Sequence, residues 1–319
     1  MSEFLQRFQV HLYLAAIALG AAAGWLVPPL GEAVEPAVTP VLALLLYATF
    51  LGIPLRRLGR AFRAPRFLAG VLLLNFVAVP LVVLALVHGT GLQGPLLTGA
   101  LLVLLAPCVD YVIVFTGLAG GAADRLLATT PFLMLAQILA LPVLLRWFPQ
   151  ADAAGALPWS RFTGALVLVV LAPLLAAAVT QWATSRGPLG RAWERRVAAA
   201  MVPLMMLTLG TVVASQTARI GSRVAELLPL VPLYLGFAAV MTVLGWAAGL
   251  VVGLGGRERR AVLFTGVTRN SLVVLPLALA VPGTSGAEPL AVVTQTLVEL
   301  LVMVVLVWLV PRLVPVPEG

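Results

Sequence analysis

Two stretches, Leu104-Leu105-Ala106-Pro107-Cys108-Val109-Asp110-Tyr111 and Phe264-Thr265-Gly266-Val267-Thr268-Arg269-Asn270-Ser271, set chemically active side chains in the middle of long apolar runs. Cys108 is the chain's one thiol, and thiolates suit soft metal and metalloid centres. Asp110 offers a carboxylate for a proton or a cation. Arg269 offers a fixed positive charge that could hold an anion or pair with Asp110. Asn270 and Ser271 add neutral hydrogen-bonding groups beside it. A third run, Thr294-Gln295-Thr296-Leu297-Val298-Glu299, brings a second acid, with Gln295 four residues before Glu299 and Thr296 on the same helix face.

All of these groups sit where water is scarce. Both stretches lie in segments long enough to cross a bilayer, which takes about 20 apolar residues. A charge at membrane depth costs at least about 2.5–3.5 kcal/mol, so Asp110 and Arg269 are expected to face each other or a water-filled cavity. A purely structural ion pair is the alternative, because breaking a buried pair costs about 3–5 kcal/mol. Cys108 has its own alternative as a small buried hydrophobe. Glu299 has no obvious basic neighbour and is the better candidate to carry a proton. Asn75 and Gln137 read as helix–helix hydrogen-bonding residues.

The elements that hold these residues must be broken there. Pro107 removes a backbone donor and clashes with the preceding turn. Gly266, followed by Thr268, Asn270 and Ser271, gives the second segment a soft point. Backbone groups freed at membrane depth must face protein or a water-filled cavity. Discontinuous helices at corresponding places in two halves of a chain point to the binding site of a secondary transporter.

The chain as a whole has the composition such elements need. Hydrophobic residues make up 61% of the 319, and charged residues 10%, against about 25% charged in soluble domains. An all-α integral membrane protein is expected. Ten spans are legible, at about 9–28, 37–55, 67–87, 95–119, 126–148, 160–184, 197–215, 227–253, 260–281 and 288–310. With the N-terminus inside, fifteen arginines fall on the inner side and four, Arg146, Arg161, Arg219 and Arg223, on the outer. By that excess both termini are expected in the cytoplasm, and the expected location is the inner cell membrane. The net charge of +8 belongs to those loops, and no nucleic-acid-binding motif accompanies it.

Ten spans divide into five in residues 1–150 and five in 151–319, and an odd number per half forces the second half to be inverted. Pro40, Leu44, Arg56 and Arg60 recur as Pro203, Leu207, Arg219 and Arg223 at a constant offset of 163. On this division the broken spans are the fourth of each half.

Ala106-Pro107-Cys108 resembles the Ala-Pro-Cys signature of the Acr-type arsenite efflux permeases, a group within the bile acid/sodium symporter superfamily. Phe264-Thr265 and Asn270 in the ninth span, and Val298-Glu299 in the tenth, are similar to that group's pattern. Span number and spacing extend the resemblance over essentially the whole chain. It implies two inverted five-helix repeats whose broken helices 4 and 9 cross. Helices 3–5 and 8–10 would then form a core, and helices 1, 2, 6 and 7 a panel. The chain departs from the group in its charges. Asp110 stands where the permeases have a small neutral residue, Arg269 where they have Asn, and Leu272 where they have an acid.

The expectation is a secondary active transporter that exports arsenite or antimonite. Protons rather than sodium are the expected coupling ion, because Arg269 is a built-in cation and Leu272 replaces an acid. Cys108, Asp110, Arg269, Asn270 and Ser271 are the expected substrate-binding residues, Glu299 and Asp110 the coupling residues, and Pro107 and Gly266 the helix breaks. The alternative substrate is a small organic anion whose carboxylate Arg269 holds. A more remote alternative is a non-transporting sensor or scaffold. No nucleotide-binding loop, metal-ligand cluster or nucleophile–base arrangement is legible, so no enzyme activity, cofactor, resident metal or nucleic-acid partner is expected. The expected partners are the small-molecule substrate, a metalloid oxyacid or an organic anion, and the lipid bilayer.

Overall fold

A chain this apolar must satisfy its backbone within each segment, which helices do. The structure is a computed structural model and describes residues 8–52, 63–109, 111–148, 164, 167, 171–184, 188–220, 224–279 and 287–316. Among the described residues it is helical, with turns, one isolated antiparallel bridge and no strand. In chain order the helices are α1 (Gln9–Leu26), α2 (Pro28–Gly52), α3 (Pro65–Thr90), α4 (Gly94–Leu104), α5 (Tyr111–Leu118), α6 (Ala123–Leu145), α7 (Ala172–Thr184), α8 (Pro188–Ile220), α9 (Leu230–Val251), α10 (Gly256–Val267), α11 (Ser271–Leu279) and α12 (Ala287–Leu313), with a single turn at Val224–Leu227. Five of these regions are long and apolar enough to cross a membrane: Pro28–Gly52, Pro65–Thr90, Ala123–Leu145, Ala225–Val251 and Ala287–Leu313. His11–Leu26, Gly94–Leu104 and Ala199–Ser215 are shorter apolar helices.

The chain forms two compact units, and each draws on both sequence halves. One comprises Met1–Gly52 and Pro158–Glu226 and holds α1, α2, α7 and α8. The other comprises Ile53–Leu157 and Leu227–Gly319 and holds α3–α6 and α9–α12.

In the first unit α8 packs along α1 and α2. Small residues let α1 and α8 approach closely. A Cβ added to Gly20 would stand 2.6 Å from the Gly210 carbonyl oxygen, and one on Gly24 would overlap the Ala214 carbonyl oxygen. Gly24→Leu is therefore expected to force these helices apart and lower the melting temperature of the purified protein by several degrees. Gly52→Ala, where a Cβ meets nothing, should leave it unchanged. Gln181 Nε2 donates to the Phe50 and Leu51 carbonyls at 3.1 and 3.0 Å, covering acceptors left open at the end of α2. The stretch from Ser185 to Arg196, expected as a loop, is helical from Pro188 onwards. Proline suits the first helical position, and the Leu, Ala, Glu and Arg residues that follow are strong helix formers. Of the offset pairs, Pro40 and Pro203 each lie inside a helix of this unit, and Leu44 and Leu207 are both 54% exposed. Arg56, Arg60 and Arg223 lie outside the described residues.

In the second unit α9 packs along α10, and α12 along α4. Helix α3 widens into a π-helical stretch at Leu74–Ala78, where the Val79 N–H bonds the Leu74 carbonyl five residues back. Pro80 accounts for the widening, since it lacks an N–H and its ring would collide with the carbonyl four residues earlier. Asn75 falls in this stretch and is fully buried. At the start of α10, Arg260 donates to the Ala119 and Val314 carbonyls at 2.7 and 3.0 Å, and Arg125 pairs with Glu258. These contacts fix α10 to the ends of α5 and α12 and to the start of α6. Two interruptions follow among the described residues: 105–109 lies between α4 and α5, and 268–270 separates α10 from α11.

Candidate functional site

The two interruptions meet. Pro107 and Arg269 form an antiparallel bridge. The Cys108 N–H donates to the Thr268 carbonyl at 3.3 Å, and the Asn270 N–H donates to the Ala106 carbonyl at 2.8 Å. Directly opposed residues in an antiparallel ladder alternate between pairs that exchange bonds and pairs that do not. Pro107 and Arg269 are a pair of the second kind, so the missing proline N–H is not asked for. Its neighbours on either side make the bonds.

A helix end leaves up to four carbonyls without intrahelical partners. The Arg269 guanidinium covers them at two ends at once. Its NH1 group donates to the Leu104 carbonyl of α4 at 3.3 Å, and its NH2 group to the Thr265 and Gly266 carbonyls of α10 at 2.7 and 2.8 Å. NH2 also reaches Asn75 Oδ1 at 2.9 Å, and the guanidinium carbon lies 5.3 Å from the Phe237 ring centre. Asn75 is held in turn by its amide nitrogen, which donates to the Val71 carbonyl at 2.9 Å and Thr265 Oγ1 at 3.3 Å. Arg269 is 0% exposed. A helix C-terminus carries roughly half a negative charge, so two such ends, an amide oxygen and a ring face surround this cation. Among the described residues no salt bridge reaches it. Asp110, its expected partner, lies outside the described residues.

Glu299, on α12, reaches the same crossing through the Arg269 backbone and is buried. Its Oε2 accepts the Arg269 backbone N–H at 2.8 Å and the Gln295 side-chain amide. Its Oε1 accepts the Tyr111 hydroxyl at 2.7 Å, and the same hydroxyl is 2.9 Å from the Arg269 carbonyl oxygen. Asn270 caps α11, its Oδ1 accepting the Val273 N–H at 3.2 Å. Its amide nitrogen reaches Gln137 Oε1 at 3.4 Å. Ser271 opens α11 and is buried. Cys108 is 0% exposed.

Pro107, Cys108, Arg269, Asn270, Ser271 and Glu299 therefore belong to one buried crossing. Gly266, expected at the break, lies instead in the last turn of α10, where an added Cβ would press on Leu74 Cδ2 at 2.8 Å. Glycine loosens a helix without ending it. The helix ends at Val267, and both the amide and the hydroxyl of Thr268 bond back to the Phe264 carbonyl, at 3.0 and 2.7 Å. Sequence reasoning missed Tyr111, Phe237 and the role of Asn75 as an Arg269 acceptor. Tyr111 had one usable signal, a hydroxyl immediately after the broken stretch.

Among the described residues no group of three or more His, Cys, Asp or Glu side chains could hold a metal ion. The sequence matches the family described as "Sodium Bile acid symporter family" over residues 39–227, more than half of its length. The chain belongs to this family. Comparison with curated proteins gives no match. Members of the sodium bile acid symporter family are transporters, not enzymes, and with its membrane-spanning helices this member is a multi-pass membrane protein with a small-molecule substrate. The family match contains Pro107 and Cys108 but ends before Arg269 and Glu299, so the second half of the crossing rests on its geometry alone.

Proposed function

We propose that this chain is a secondary active transporter that exports trivalent arsenic or antimony, with its substrate site at the paired helix breaks and with protons, not sodium, as the coupling ion. The observation that carries the reading is the enclosure of Arg269. In carriers built from discontinuous helices, unwound carbonyls and half-helix C-termini coordinate the coupling cation. Here a guanidinium takes the Leu104, Thr265 and Gly266 carbonyls, and a second cation placed there would be repelled. The same bonds engage both terminal nitrogens of Arg269, which speaks against its holding a substrate carboxylate as the organic-anion alternative requires. Cys108 then remains as the soft ligand at the crossing, in an Ala106-Pro107-Cys108 run similar to that of the arsenite permeases.

The grouping of α3–α6 with α9–α12 supports a core of helices 3–5 and 8–10, with helices 1, 2, 6 and 7 as a separate panel. The matched positions of Pro40 and Pro203 support two inverted five-helix repeats of ten spans. The arginine distribution supports cytoplasmic termini in the inner membrane.

Resistance tests the substrate. Expressed in an arsenite-sensitive cell, the wild-type chain should restore growth on arsenite, and Cys108→Ser should not. Equal resistance from both would show that the thiol is not a ligand. Resistance from neither, with the protein present in the membrane, would overturn the metalloid reading.

A further inference from the structure

We infer that Tyr111 is a positioning residue that links the proton on Glu299 to the bridge between the two helix breaks, an inference that rests on the proton-coupled reading. Its hydroxyl stands between two acceptors, Glu299 Oε1 at 2.7 Å and the Arg269 carbonyl oxygen at 2.9 Å. A phenol has one proton to donate and can also accept. Glu299 Oε2 already takes two N–H groups, from the Arg269 backbone and from Gln295. Neither of those nitrogens can accept a proton in return, so a carboxyl proton belongs on Oε1.

The two protonation states therefore bond differently. With Glu299 ionised, Tyr111 donates to Oε1 and the Arg269 carbonyl goes without that donor. With Glu299 protonated, the new Oε1–H donates to the Tyr111 oxygen, and Tyr111 turns its own proton to the Arg269 carbonyl. No covalent bond changes except the O–H formed on Glu299. The Arg269 peptide is the one bridged to Pro107. Each proton taken up or released thus adds or removes a bond between the start of α5 and the break that carries the substrate site.

The groups that act on this hydrogen-bonded pair come from several elements. Ser271 at the start of α11 faces the Tyr111 hydroxyl, and Cys108, just before α5, lies close enough to interact electrostatically with Tyr111. The Arg269 charge interacts with Glu299 from the break after α10, although its guanidinium bonds to Asn75 and the helix ends. Gln295 is on the same helix as Glu299. Asp110 is outside the described residues.

Tyr111→Phe keeps the ring and its edge contact with Phe115, at 6.2 Å between centres, and removes only the hydroxyl. Infrared difference spectroscopy of the purified full chain, titrated with pH, reads the Glu299 proton as a protonated-carboxyl band identified by its loss in Glu299→Gln. In Tyr111→Phe the band should change frequency, and its midpoint should move by on the order of one pH unit, a tenfold change in proton affinity. The pH profile of antimonite exchange in proteoliposomes should move with it. A tyrosine that only fills space would lower thermal stability and leave both midpoints in place. If Tyr111→Phe does not fold, 3-fluorotyrosine at position 111 keeps the shape, acidifies the hydroxyl and should shift the same band. A wild-type carboxyl band that neither substitution moves overturns the role of Tyr111 and leaves proton coupling standing. Absence of the band in wild type at every pH overturns both, and proteoliposome uptake that ignores a pH gradient identifies the coupling reading as the one at fault.

Discussion

Glu299→Gln is expected to abolish accumulation of antimonite driven by a pH gradient while leaving exchange of internal for external substrate largely intact. The amide is close in shape to a protonated carboxyl. Its oxygen can take the Arg269 N–H and the Gln295 amide, and its NH2 group can donate to Tyr111, the pattern assigned above to the protonated state. The variant is thus fixed in one of the two bonding states. Exchange requires only that the loaded carrier reorient, whereas accumulation requires the proton to come and go. Paired measurements in proteoliposomes separate the two. Accumulation equal to wild type would move the proton to another acid, Asp110 being the next candidate. Loss of exchange as well would make Glu299 part of the substrate site.

Arg269→Met is expected to be among the most destabilising single changes in the chain. It would strand the Leu104, Thr265 and Gly266 carbonyls and the Asn75 amide oxygen in a buried crossing. Hydrogen bonds to a charged group contribute about 1.5–3 kcal/mol each, so a loss of more than about 4 kcal/mol falls in the range reserved for broken buried networks. Arg269→Lys should recover part of it, because an ammonium keeps the charge and three donors but not the planar fork. Asn75→Ala removes one acceptor and should cost about 1–3 kcal/mol. Thermal unfolding of the detergent-purified variants should rank wild type, Asn75→Ala, Arg269→Lys and Arg269→Met in falling order of stability. A wild-type melting temperature for Arg269→Met would show that the guanidinium does not hold the two helix ends.

Much of this crossing was legible in residue types alone. Proline inside an apolar run has few meanings, and Pro107 announced the first break. The cluster from Thr268 to Ser271 announced the second, although the neighbouring glycine misdirected its position by a turn's edge. The spacing of Gln295 and Glu299 announced a bond along α12, which is present. The surroundings of Arg269 were not legible, and the reason is physical. An acidic side chain is the first partner a sequence suggests for a buried cation, and Asp110, so expected, lies outside the described residues. Three of the acceptors that hold Arg269 are backbone carbonyls at helix ends, which have no letter of their own, and the fourth is Asn75 Oδ1. Tyr111 was hidden for a similar reason, since in Tyr111-Val112-Ile113 it reads as one more apolar residue until its hydroxyl is seen between two acceptors. The two compact units were equally out of reach of local pattern, because each joins segments from both halves of the chain.

Coupling is the central claim, and uptake into proteoliposomes tests it most directly. Vesicles containing the purified chain are given either a pH gradient, acid inside, at equal sodium, or an inward sodium gradient at constant pH, and internal antimonite is followed with time. Protein-dependent accumulation under the pH gradient, with none under the sodium gradient, is the predicted result. Accumulation that follows sodium at constant pH and ignores the pH gradient would contradict it.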